Sequence, residues 1–239
     1  MCRMLGVLAA FAIIPSLCSA ATLTEQVEAA AKNGKYTYVM FYRAKDTATQ
    51  RMANTIQTHV TQTAEKTTWV TVDVRDQKEA TLVKRFDASR IPLPAVFGVA
   101  PNGAVTGVFP QKVDQNQLTN AILTPNYSEM VKALQNQKIA IVCMLPTADD
   151  AIPSGVSALQ QNPAFKDKLH QVKAVATDSD EAEFFRRMQV DMNLETPVVL
   201  MFAPPGTHLG TFEATVSGDE LTQELHKSGK CNCSKCQKK

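Results

Sequence analysis

Three cysteines fall within six residues near the C-terminus: Cys231, Cys233 and Cys236, spaced C-x-C-x-x-C. The segment around them, Ser228-Gly229-Lys230-Cys231-Asn232-Cys233-Ser234-Lys235-Cys236-Gln237-Lys238-Lys239, has no large apolar side chain to bury. Three chemistries suit such a tail. Thiolates this close together are soft ligands for Cu(I) or Zn(II), with His226 as a fourth, and the neighbouring lysines favour the thiolate form. A labile disulfide with one thiol left over would exchange with partner proteins. Alternatively, the cysteines pair within or between chains and do nothing further. The run lacks a second cysteine pair and matches no standard structural zinc spacing, so all three readings stay open.

Elsewhere the reactive residue types are isolated. Cys143 lies between Val142 and Met144 in an apolar run, where cysteine packs as a small hydrophobe. His59 and His170 have no partner at metal or triad spacing, and His208 falls in a predicted hairpin. Asp73 and Asp76 flank Arg75 at a strand end, a solvated turn, and Trp69 anchors a strand. No Gly-rich phosphate loop, G-x-S-x-G elbow or H-E-x-x-H helix is present.

The chain of 239 residues is 44% hydrophobic and 20% charged, with 12 Pro and 10 Gly. That composition is globular and excludes a disordered or collagen-like chain. A net charge of +2, from 25 Lys+Arg against 23 Asp+Glu, argues for no nucleic-acid partner. Setting aside Arg3 and the four tail lysines leaves 20 basic against 23 acidic side chains, so the positive balance belongs to the ends.

The first residues, MCRMLGVLAAFAIIPSLCSA, place Arg3 before an apolar run from Leu5 to Ile14, then Pro15 and small residues. This is the layout of a signal peptide over residues 1–20, cleaved after Ala20. At about ten residues the run is too short to span a bilayer core of roughly 30 Å. Acylation at Cys18 would need a small residue where bulky Leu17 stands. Export to the periplasm or extracellular space follows, with no transmembrane segment in the mature chain. Cys143 and the three tail cysteines remain in an oxidising compartment.

The elements that position these residues occur twice. KYTYVMFY begins at Lys35 and KIAIVCML at Lys138, an offset of 103. The same offset relates Pro94 to Pro197, Gly103 to Gly206, Phe109 to Phe212, and the helix N-caps Asp114 and Ser217. In between it slips by one, matching DQKEATLVKRF from Asp76 to DSDEAEFFRRM from Asp178. Two homologous domains are expected over residues 21–124 and 125–229, with residues 230–239 a flexible Cys/Lys-rich tail. Each repeat reads as helix, apolar strand (Tyr36–Tyr42; Ile139–Leu145), helix (47–64; 154–169), strand (69–74; 172–176), helix (78–86; 181–188), an X-Pro step, a hairpin, and a capped helix (114–123; 217–226). That order predicts an α/β unit, a small mixed sheet with helices on both faces.

The order of elements, the first strand ending in Phe41-Tyr42, the Leu93-Pro94 and Thr196-Pro197 steps, and the Pro-Asn-Gly or Pro-Pro-Gly hairpin together resemble the thioredoxin superfamily. The resemblance covers nearly all of residues 21–229. It implies cis peptides at Pro94 and Pro197 beside a groove that accepts an extended peptide, made by Leu93, Pro94, Thr196 and Pro197. It also locates a C-x-x-C pair where the first strand turns into a helix. There this chain reads Asp46-Thr47-Ala48-Thr49 and Asp149-Asp150-Ala151-Ile152. The family's buried acid is replaced by Met40 and Cys143. With the degenerate positions Asp46, Thr49, Asp149 and Ile152 holding no thiol, the expected role is binding or scaffolding of a protein or peptide partner. Metal binding or thiol exchange through the tail is the alternative.

Overall fold

The computed structural model describes residues 22–165 and 167–229. The signal-peptide positions and the tail cysteines Cys231, Cys233 and Cys236 lie outside them. Two four-stranded sheets organise these residues into two units.

In the first unit, α1 (Leu23–Lys32) opens on a capping box. The Thr22 hydroxyl accepts from the Glu25 N–H, and the Glu25 carboxylate accepts from the Thr22 N–H. β1 (Tyr36–Tyr42), rich in aromatic and β-branched residues, is buried on both faces as a central strand must be. α2 (Thr47–Gln62) returns the chain to β2 (Thr67–Asp73), which pairs parallel to β1. A 3-10 turn and α3 (Ala80–Arg85) lead to β3 (Ala95–Val99), antiparallel to β1, and a hairpin to β4 (Val105–Pro110). α4 (Gln115–Asn120) closes the unit, capped by Asp114. The strand order is β2-β1-β3-β4.

The second unit repeats that order as β6-β5-β7-β8. Its elements are α5 (Pro125–Gln135), β5 (Ile139–Leu145), α6 (Ser154–Gln161), β6 (Leu169–Val175), α7 (Ala182–Met188), β7 (Val198–Ala203), β8 (Thr207–Glu213) and α8 (Gly218–Lys227). β5 pairs parallel to β6 and antiparallel to β7. The chain is therefore two tandem thioredoxin-like α/β units, each a mixed sheet with helices on both faces. Among the described residues no helix is long and apolar enough to cross a membrane.

Both sheets are packed on each face, and the strand period of two sorts the side chains. In the first unit Val39, Phe41, Val72 and Phe97 face Leu82 and Phe86, while Tyr38, Met40 and Val96 face Met52, Ile56 and Leu118. In the second, Ala140, Val142 and Met144 meet Phe184 and Phe185, while Ile141 and Cys143 meet Val156, Leu159, Leu221 and Leu225. Cys143 occupies the place Met40 holds 103 residues earlier, fully buried, and burial pushes its thiol up to about 12. It is packed as a hydrophobe.

The first unit also buries a polar group. His59, on the inner face of α2, is 3% exposed. The Tyr38 hydroxyl donates to the Leu118 carbonyl at 2.7 Å and lies 3.1 Å from His59 Nε2. With its one proton on that carbonyl, the hydroxyl oxygen must accept from the ring, which places a proton on Nε2. Burial lowers the His59 pKa, and desolvation raises that of Tyr38. His59, without a partner at metal or triad spacing in the sequence, is a buried packing residue that ties β1, α2 and α4 together through Tyr38.

The units are joined through Thr124, which caps α5 by accepting from the Tyr127 N–H. The Tyr36 hydroxyl donates to the Leu123 carbonyl, and the buried Glu181 carboxylate accepts from the Asn126 N–H at 2.9 Å. The Gln135 amide binds both the N–H and the C=O of Val105, satisfying the exposed end of edge strand β4.

Three details differ from the expectations. α6 ends at Gln161 and a 3-10 turn follows, because Pro163 cannot continue the helix. Among the described residues the cis bonds are Leu93–Pro94 and Pro204–Pro205, so Thr196–Pro197 is not cis. In the second unit the cis proline instead lies in the β7–β8 hairpin.

Candidate functional site

Above the end of β1, residues 43–46 turn into α2, and the chain approaching β3 passes alongside. Between them is a cleft of about 490 Å³ lined by Arg43, Ala44, Asp46 and Thr49 on one wall and residues 89–94 on the other. The four first-unit positions singled out in the sequence (Asp46, Thr49, Leu93 and Pro94) therefore come together in one site.

Each wall has a local cause. Asp46 is the N-cap of α2, and its carboxylate accepts from the Thr49 N–H at 2.9 Å. The Thr49 hydroxyl donates to the Ala44 carbonyl at 2.8 Å, which closes the loop on itself. Hydrogen bonds from Thr49 hold the Asp46 carboxyl below the usual carboxylate range. At the helix N-terminus, where a thiol would be activated, stands a permanent carboxylate whose lone pairs serve the helix. It is not a thiol.

The opposite wall starts from Asp87, in the left-handed region at φ 48°, followed by a short 3-10 turn over Ala88–Arg90. Ala88 is buried, which sends the exposed Ser89 and Arg90 outward. Leu93 packs partly on the core, and Pro94 is buried and held by the Gln111 N–H donating to its carbonyl at 2.6 Å. Among the described residues, neither the N–H nor the C=O of Leu93 has a hydrogen-bond partner in the protein. Both are available to an added chain.

The cleft carries two guanidinium groups. Arg90 reaches Asp87 at 3.3 Å on an exposed surface, and Arg43 has no ion-pair partner among the described residues. An exposed pair of that kind contributes little and leaves most of the Arg90 donors open.

The second unit does not assemble the same site. Pro153 precedes α6 without a side-chain cap, and the loop from β5 runs over residues 146–153, twice the length of its counterpart. Ile152 is partly buried against the core of that unit. It is a packing residue because the longer loop folds inward. Asp150 accepts from the Thr147 N–H and hydroxyl, while Asp149 stays exposed; Thr196 is exposed and Pro197 half-buried. His226, proposed as a fourth metal ligand, is half-buried on α8 with its ring centroid 6.1 Å from that of Phe165. Among the described residues no cluster of His, Cys, Asp and Glu suits a metal ion.

Sequence reading missed Arg43 and Arg90. Neither belongs to a motif, and only the fold brings residues 43 and 90 to opposite walls. The other singled-out residues fall into structural roles. Arg75 clasps Asp73 through two hydrogen bonds that hold the carboxyl at about 2. Asp76 caps the following turn. His170 lies 3.0 Å from Glu129, and His208 lies against Phe202.

No protein-family model matches the chain, and no curated protein matches it. Solved structures similar to it include human ERp44, at 12% identity and a TM-score of 0.38, over 92% of this chain and 60% of that one. The first two thioredoxin domains of Saccharomyces cerevisiae Eps1p match at 13% identity and 0.29, over 88% of this chain and 98% of theirs. The thioredoxin Deadhead from Drosophila melanogaster matches at 21% and 0.33, over 41% of this chain and 86% of its own. This chain thus spans about 60% of the length of human ERp44. The strand order, repeated in both sheets with one parallel and two antiparallel pairings, makes each half of the molecule a thioredoxin-like fold.

Proposed function

We propose that this is an exported protein of two thioredoxin-like domains, residues 21–124 and 125–229, that binds an extended segment of a partner protein and does no thiol chemistry in either domain. The observation that carries the reading is the first-unit cleft, where the unpartnered main chain of Leu93 faces the capped start of α2. A free N–H and C=O beside an open groove are what strand addition requires: main-chain bonds give affinity and side-chain pockets give selectivity. Asp46 in the place of a nucleophile, together with a sole described cysteine that is buried and protonated, supports a non-catalytic role. The second domain, without the matching cleft residues in place, acts as a scaffold.

Fluorescence anisotropy with labelled extended decapeptides tests the reading. Binding is expected, with loss when Ala44→Trp fills the cleft and when the central peptide nitrogens are N-methylated. Peptide affinity indifferent to both changes would overturn it. The alternative keeps Cys231, Cys233 and Cys236 as the active groups, since three thiols fall within six residues of a segment that carries no large apolar side chain. Stoichiometric copper or zinc in the purified protein, lost in Cys233→Ser, would favour metal binding. Insulin reduction lost on deleting residues 230–239 would favour exchange.

A further inference from the structure

The cleft's charges say more about its occupant than its shape does. Its walls carry two guanidinium groups, Arg43 and Arg90, and one carboxylate, Asp46. Asp46 is partly engaged: its Oδ1 accepts from the Thr49 N–H, and its charge sits on the positive end of α2. Arg43 has no carboxylate within reach among the described residues, and Arg90 meets only the exposed Asp87. The cleft therefore presents two guanidinium groups with open donors against a single carboxylate that is engaged at the helix N-terminus. A guanidinium fork matches a carboxylate in two parallel hydrogen bonds, which are shorter and stronger than neutral ones.

We infer that the cleft selects an extended peptide bearing an acidic side chain, whose backbone pairs with Leu93 and whose carboxylate is gripped by Arg43 and Arg90. The inference rests on the peptide-binding reading above and specifies its partner. Apolar or basic segments lack the group that would use these donors, and a basic one would also meet like charge. Because both arginines are exposed, the preference is modest and screened by salt.

The test compares labelled decapeptides of one Ser/Val sequence carrying Glu, Gln or Lys at the centre, titrated with the purified protein. The Glu peptide is expected to bind about tenfold more tightly than the Gln peptide, and the Lys peptide most weakly. The gap should narrow when salt rises from roughly 50 to 500 mM. In the Arg43→Gln/Arg90→Gln double variant the Glu and Gln peptides should bind alike, while Arg43→Lys retains part of the preference. If all three peptides bind equally and Ala44→Trp still abolishes binding, the acidic selectivity is wrong and the peptide cleft stands. If none binds, the cleft reading and this inference fall together. A preference for Lys would overturn the inference alone.

Discussion

The two units differ most where α2 and α6 begin. α2 has 16 residues and starts directly after its cap Asp46, leaving a cleft between its N-terminus and residues 89–94. α6 has 8 residues, starts after a loop of eight residues from β5, and lies hard against α8. The close approach of α6 and α8 has a local counterpart in the sequence. Met52 in α2 is buried between helix and sheet, and 103 residues later stands Gly155. A Cβ built at Gly155 overlaps the Val216 carbonyl, and one at Gly218 would lie 2.9 Å from the Ala158 Cβ. Small residues let two helix backbones approach, and a long side chain holds them apart. The start of α2 thus lines an open groove, while the start of α6 is packed on the segment leading into α8.

The sharpest way to break that comparison is to exchange the two residues. Gly155→Met places a side chain into backbone that cannot yield. It should cost about 3 kcal/mol or more, seen in chemical denaturation as early loss of the second unit. Gly155→Ala should be milder with the same sign. A fully stable Gly155→Met would mean that α6 and α8 are not in close contact. The reciprocal Met52→Ala removes a buried side chain and should destabilise the first unit by roughly 2–4 kcal/mol, leaving exchange protection of β5 unchanged.

A second difference is electrostatic. The first unit buries His59 against Tyr38, where the second has Asn162 and Ile141. The folded-state pKa of His59 is lowered, so the unfolded chain binds its proton first as pH falls. The stability the neutral ring contributes is complete above its ordinary value near 6.5. It is lost as pH drops from there through the lower folded-state value, by no more than about 1.4 kcal/mol per pH unit. Hydrogen exchange of β1 should therefore accelerate between pH 6.5 and 5 relative to β5, and His59→Phe should flatten the difference. Equal acceleration in both strands would contradict the assignment. The smallest contrast concerns the caps. Asp46→Ala should speed exchange in the first turn of α2 by roughly fivefold, while Asp149→Ala, which removes no cap, should leave α6 unaffected.

Much of this organisation is legible in the sequence because it is local or repeated. The apolar runs of β1 and β5 match the structure at both ends, since a central strand announces itself by continuous hydrophobicity. The caps Thr22, Asp114 and Ser217 carry their own signature. Half of the singled-out positions, Asp46 and Thr49 with Leu93 and Pro94, came together along one cleft. The other half did not, because an offset of 103 transfers position without transferring environment. Ile152 turned inward on a longer loop, and Thr196–Pro197 lost the geometry that Leu93–Pro94 keeps. Arg43 and Arg90 were invisible for the complementary reason: their significance lies in which walls they share, a property of the fold.

The central claim is that the first unit, and not the second, holds the partner segment. A photoreactive extended peptide bound to the purified protein, crosslinked and mapped by mass spectrometry, tests it most directly. The account predicts crosslinks at residues 43–49 and 89–94, abolished by Ala44→Trp. Crosslinks at Thr196 and Pro197, or spread evenly over both units, would contradict it.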